Sequence, residues 1–294
     1  MALPNLKDNK AIQLLLQKKQ ESEQYRKVLD EMKSNMREVL IINEVFSTVQ
    51  CEGKSMGMPT IFIRTYGCNL RCGFANPDGT RGCDTPYTWL PSATTADDVN
   101  RYTPSMLVDE IMQYPVHNHW VLTGWEPLLQ GDKFIPVCEE YKKRTGEYPY
   151  VEFETNGTVI PSEALQPYVG HYNVSLKLEN SNATEKTGYH KDEYEYNWNT
   201  EKRRVIEKPV QWFTAEPKAY FKFVIDRNLE VLEEVKGLQK RFNIPNTKVW
   251  LMPEGNSEED IRASSCDIVE VCKEEGYRFS TRLHILLWGF RRWV

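Results

Sequence analysis

From Ile41 onward, short apolar runs alternate with stretches whose apolar residues recur every three or four positions. The runs IFIRTYG, WVLTG, VEFETNGT, HYNVSLKL, YFKFVID and KVWLMPEG read as strands. Between them the periodicity predicts helices over 104–114, opened by the Pro-Ser of TPSMLVDEIMQY, over 134–144, near 228–242 and over 257–275. Strands that alternate with helices indicate parallel βαβ units and hence an α/β fold. In such folds functional residues gather where strands run into loops. The polar residues after IFIRTYG, WVLTG, VEFETNG and VWLMPEG fall at those ends.

Two segments depart from this rhythm. Residues 10–40 read as one amphipathic helix, with Tyr25, Val28, Leu29, Met32, Met36 and Val39 at three- and four-residue steps among Lys, Glu and Arg. The chain therefore divides into a helical extension, 1–40, and a core domain, 41–294. Residues 179–217 are polar, rich in Asn, Glu, Lys and Tyr, and without a clear period, which predicts an insertion or lid.

Composition narrows the class. The 294 residues are 40% hydrophobic and 27% charged, as in a globular protein with a sizeable core. A net charge of −5 argues against a general nucleic-acid binder. No apolar run reaches membrane-spanning length, and MALPNLKDNK lacks the features of a secretory signal. Seven cysteines, an odd number, fit a reducing cytoplasm better than a disulfide scaffold.

Three of those cysteines carry the chemistry. Cys68, Cys72 and Cys83 lie in RTYGCNLRCGFANPDGTRGCDTPYTW, with three residues and then ten between them and no histidine inside. Thiolates suit iron–sulfur clusters or zinc. A closed zinc site wants four protein ligands, so three thiolates leave a four-site centre one ligand short. A zinc site or buried free thiols remain the bland alternatives. Cys138, Cys266 and Cys272, in helical stretches, read as buried side chains. Arg64, four residues before the first cysteine, suits a carboxylate ligand or a structural ion pair.

In order along residues 43–294, NEVFSTVQCEG, FIRTYGCNLRC, CDTPYTW, LTGWEPLLQ, VEFETNGT, VSLK, FKFVID, LMPEG and RLHILLWGFRR resemble the motifs of the radical S-adenosylmethionine enzymes. Within them the pattern resembles the 7-carboxy-7-deazaguanine synthases. The resemblance implies a partial TIM-like barrel with an added N-terminal helix. It implies a 4Fe–4S cluster on Cys68, Cys72 and Cys83, with S-adenosylmethionine on the open iron as the source of a 5′-deoxyadenosyl radical. Thr85 would ligate Mg²⁺, a hard cation that takes oxygen ligands. Val49, Gln50, Cys51, Arg64, Thr123 and His284 would bind 6-carboxy-5,6,7,8-tetrahydropterin, with Arg64 on its carboxylate. Asp84, Trp125, Ser175, Leu176, Lys177, Met252, Pro253, Glu254 and Gly255 would line the S-adenosylmethionine site, with Glu154 and Asn156 contributing. The implied reaction is conversion of the pterin to 7-carboxy-7-deazaguanine with loss of ammonia, as a carbon–nitrogen lyase of queuosine-type biosynthesis. The implied setting is cytoplasmic, with an electron donor such as flavodoxin, no nucleic-acid or membrane partner, and a homodimer left open.

The chain departs from the motif pattern in places. Ten residues, rather than two, separate the second and third cysteines, a turn-rich loop that can fold outward. Trp125 stands where the motif has Gly, so the strand end is shifted or cofactor binding is weakened. Leu176 replaces a proline, and Trp293 a small residue. A glycyl-radical-enzyme activase and a non-catalytic interaction protein descended from the synthase are the rival readings.

Overall fold

The computed structural model describes residues 39–75, 81–83, 85–89, 94–95, 98–124, 126–181, 201–227 and 229–292. The predicted N-terminal helix lies outside them except at its end. There Val39 is not helical, and Leu40 already begins the first strand.

The core is one nine-stranded sheet. Its strands are β1 (Leu40–Val49), β2 (Pro59–Thr65), β5 (Asn100–Tyr102), β6 (His119–Gly124), β7 (Tyr150–Thr155), β8 (Val169–Val174), β9 (Ala219–Ile225), β10 (Val249–Pro253) and β11 (Arg278–Phe279). Their order is β11-β10-β9-β8-β7-β6-β2-β1-β5. From β2 through β11 every neighbour pairs in parallel, whereas β1 pairs antiparallel with both β2 and β5. The expected α/β partial barrel is thus a mixed, mostly parallel sheet. A separate two-stranded ladder, β3 (Phe74–Ala75) with β4 (Arg81–Gly82), lies between Cys72 and Cys83. The two described ends of the long inserted loop therefore pair with each other.

The crossover helices form for local reasons. In α1 (Pro104–Ile111) the Thr103 side chain accepts from the Met106 amide and proline sits in the first turn. In α2 (Ile135–Thr145), Lys142, Lys143 and Arg144 crowd the last turn, where the helix dipole favours cations. Helix α5 (Leu232–Phe242) buries Val235, Leu238 and Phe242. Helix α6 (Glu258–Glu275) is capped by Ser257 and buries Ile261, Ile268 and Cys272.

Two expectations change. Inside the segment read as an aperiodic insertion, α3 (Glu201–Arg204) and α4 (Glu207–Ala215) are helices. Val210 and Phe213 of α4 are fully buried in the core. Its apolar positions are too few, and too closely flanked by Glu207, Lys208 and Gln211, to declare a period. Of the three helical cysteines, Cys138 and Cys272 are buried but Cys266 is exposed. Among the described residues no helix is long and apolar enough to cross a membrane.

Candidate active site

A cavity of about 440 Å³ opens at the carboxyl ends of the parallel strands, where α/β sheets place their ligands. Cys68, Cys72 and Cys83 all line it. The Leu70 amide donates to Cys68 Sγ at 3.2 Å, and the Thr85 amide to Cys83 Sγ at 3.1 Å. Such N–H···S bonds stabilise thiolates and tune a bound cluster. Burial pushes the lone Cys68 thiol well up, with Cys72 adding to the effect, so the metal-free form is a neutral thiol. Among the described residues no three His, Cys, Asp or Glu side chains converge on a point that one metal ion could fill. The three thiols face one shared space, and thiolates are soft donors that suit iron–sulfur clusters or zinc.

The loop that carries these thiols is tied down on several sides. Arg71 donates to the carbonyls of Cys68 and Leu70 and stacks on Trp89 at 4.3 Å. Asn156 Nδ2 donates to Asn69 Oδ1, and Asn69 Nδ2 donates to Thr158 Oγ1. The turn after β7 therefore braces the cysteine loop. Glu126 organises that turn, accepting from the Asn156 amide at 2.8 Å, from Thr155 Oγ1 at 2.8 Å and from the Leu128 amide at 3.1 Å. Burial lifts Glu126 to about 7 against the pull of those donors.

Register builds the other wall. Glu44 of β1 stands opposite Arg64 of β2, and Arg64 opposite Thr123 of β6. Arg64 Nε donates to Glu44 Oε1 at 2.6 Å. Arg64 thus makes the structural ion pair and also lines the cavity. Phe46 and Phe62 stack beside it with centroids 5.4 Å apart.

The floor is charged. Lys222 of β9 bonds Glu52 at 2.5 Å and Glu154 at 3.0 Å with 3% of its side chain exposed. Burial opposes charge on Lys222, but Glu154 and Glu52 outweigh it and raise its pKa. Burial also opposes charge on Glu52, yet Lys222, Arg282 and His284 together lower it to about 2. Glu154 moves the other way, raised by burial and by the nearby Glu152 and Glu52. Gln50 Nε2 joins the layers, donating to Glu152 at 2.6 Å and to Glu154 at 3.1 Å. Below, Glu152 is held by His119 Nε2 at 3.3 Å and by Ser55.

The structure brings Gln50, Cys51, Arg64, Thr123 and His284 to this cavity, together with Thr85 beside Cys83. Ser175, Lys177, Met252, Glu254 and Gly255 line it as well, as do Glu154 and Asn156. Val49, Leu176 and Pro253 do not reach it. Leu176 is instead fully buried in the hydrophobic core, while its neighbours Ser175 and Lys177 take the cavity side. Asp84 and Trp125 lie outside the described residues. The sequence reading missed Glu52, Lys222 and Arg282, which no local spacing connects. Arg282 bonds the Gly255 carbonyl and Asn256 at 2.7 Å each, and Glu52 at 3.3 Å, closing the ring of strand ends.

A mostly parallel α/β sheet thus gathers three thiols, an arginine and a charged floor at its carboxyl edge, as the resemblance to radical S-adenosylmethionine enzymes implies. No family model matches the sequence. The chain is 31% identical over 250 residues to the 7-carboxy-7-deazaguanine synthase of Pyrobaculum aerophilum, covering 85% of this chain and 95% of that one. It is 31% identical over 259 residues to the synthase of Halobacterium salinarum (85% and 91%) and 32% over 254 residues to that of Rhodopirellula baltica (86% and 88%). The crystal structure of QueE from Escherichia coli superposes with a TM-score of 0.56 at 23% identity, over 85% of this chain and 96% of that one, and shows the same fold. The chain belongs to the 7-carboxy-7-deazaguanine synthase family.

Proposed function

We propose that the chain converts 6-carboxy-5,6,7,8-tetrahydropterin to 7-carboxy-7-deazaguanine with loss of ammonia, using a 4Fe–4S cluster, S-adenosylmethionine and Mg²⁺. The observation that carries this reading is the single cavity shared by Cys68, Cys72, Cys83, Arg64 and Thr123. Cys68, Cys72 and Cys83 would hold the cluster. The cluster, when bound, supplies one electron to the sulfonium centre of S-adenosylmethionine, and that electron comes from an external donor of the flavodoxin type. Ser175, Lys177, Met252, Glu254 and Gly255 surround the space left for the cofactor's adenosine and methionine parts. Arg64 offers the pterin carboxylate a planar cation suited to paired hydrogen bonds. Thr85, next to the third thiol, supplies a hydroxyl suited to Mg²⁺. Gln50 presents a side chain already oriented by two glutamates, while Phe46 and Phe62 give the cavity an apolar wall.

The test is anaerobic reconstitution with iron and sulfide, followed by reductant, S-adenosylmethionine, Mg²⁺ and the pterin, with mass spectrometry of the products. 7-Carboxy-7-deazaguanine formed without any protein substrate supports the synthase over an activase. Cofactor cleavage without that product would assign a different substrate.

A further inference from the structure

Glu44 lies against the cavity wall without lining the cavity, and its environment is unusual. Its side chain is 6% exposed and meets two arginines. Oε1 accepts from Arg64 Nε at 2.6 Å, and Oε2 accepts from Arg292 Nε at 3.0 Å. The Tyr87 hydroxyl also donates to Oε1, at 3.3 Å. The β1–β2 register slips between Ile42 and Glu44, and this irregularity brings Glu44 opposite Arg64. Bulges of this kind re-aim side chains next to active sites. Arg292, in the segment after the short helix Leu283–Trp288, is itself fixed: it bonds Asp98 at 2.7 Å and lies 3.8 Å over the Tyr87 ring. Asp98 is anchored in turn by the Thr95 amide and hydroxyl, at 2.9 and 2.7 Å.

We propose that Glu44 is the positioning residue of the carboxylate-recognition site, one oxygen orienting Arg64 and the other held in place by Arg292. The proposal rests on the reading of Arg64 as the residue that takes the substrate carboxylate. An arginine side chain has many rotamers, and ordering it only on ligand arrival would cost affinity. Glu44 engages Arg64 through Nε, the edge nitrogen, and so fixes the plane of the guanidinium before the ligand arrives. Asp98 balances the second arginine, so the cluster carries no unpaired buried charge.

The experiment titrates the full chain, with S-adenosylmethionine and Mg²⁺ present, with two fluorescent probes, 6-carboxypterin and pterin. Only the first carries the carboxylate. Arg64→Ala sets the reference and is expected to abolish the preference for 6-carboxypterin. Glu44→Ala should weaken 6-carboxypterin about tenfold, as for loss of a charged hydrogen bond, and leave pterin affinity unchanged. The double variant should match Arg64→Ala alone, since Glu44 acts only through Arg64. Arg292→Gln, whose side chain is more exposed than that of Glu44, should show the same selective loss in smaller measure. Equal weakening of both probes by Glu44→Ala and Arg292→Gln, or multiplying losses in the double variant, would overturn the positioning role. If Arg64→Ala itself leaves the preference intact, the assignment of Arg64 fails first, and that result is read independently of Glu44.

Discussion

Lys222 shows what one residue contributes to this architecture. Its ammonium is removed from solvent and compensated by Glu52 and Glu154, so its loss leaves Glu154 buried without this counterion and Glu52 still paired with Arg282. Lys222→Met is expected to cost about 3–5 kcal/mol at neutral pH, measured by urea denaturation. The pH dependence follows from Glu52. Its pKa lies at about 2, below the ordinary 4.5, so its stabilising contribution is complete above 4.5 and is lost as pH falls toward 2. The gap between wild type and Lys222→Met should therefore be widest near neutrality and narrow below about pH 4.5. Glu154 was legible on its strand-end motif, but its partners were not: Glu52 and Lys222 are 170 positions apart, and each alone looks like an ordinary surface charge. Cys68, Cys72 and Cys83 were legible because their spacing is local. Within the VSLK run the side chains divide, Ser175 and Lys177 to the cavity and Leu176 to the core.

At the scale of elements, the strand ends decide the geometry of the site. Gly124 closes β6 with φ of +99°, and a Cβ there would run into the backbone oxygen of Thr65 on β2. Gly124→Ala combines left-handed strain of about 1–3 kcal/mol with a clash between two strand termini that carry Arg64 and Thr123. It should lower the melting temperature and impair turnover together, as calorimetry and product assay would report. The parallel strands were readable because each is a compact apolar run buried by its neighbours. Helix α4 was not, since it shows the solvent most of its surface and commits only Pro209, Val210 and Phe213 inward. Its place in the core is testable. Phe213 is fully buried beside Tyr172 and Trp212, so Phe213→Ala should cost about 3–5 kcal/mol in urea unfolding. A detachable lid would show no such loss.

Across the whole molecule, the hydrophobic core and the thiol centre are separate. The core cluster runs from Leu40 on β1 through Leu122, Phe153, Val174 and Phe223 to Leu251 and Tyr277, and contains none of Cys68, Cys72 or Cys83. The thiols sit on a loop braced by Asn69, Arg71 and Asn156 through hydrogen bonds that need no metal. Small metallo-domains fold only when loaded because the metal supplies their folding energy. Here the buried core contains none of the three thiols, so the fold is expected not to depend on what they bind. Cys72→Ala should accordingly leave the metal-free protein with a cooperative thermal transition shifted by no more than about 4 °C, the shift expected for roughly 1 kcal/mol in a chain this large. The same substitution should abolish both the iron–sulfur absorption after reconstitution and the formation of product. Collapse of the metal-free fold in Cys72→Ala would show instead that the thiol loop is part of what holds the sheet together. Retention of full turnover would remove Cys72 from the ligand set.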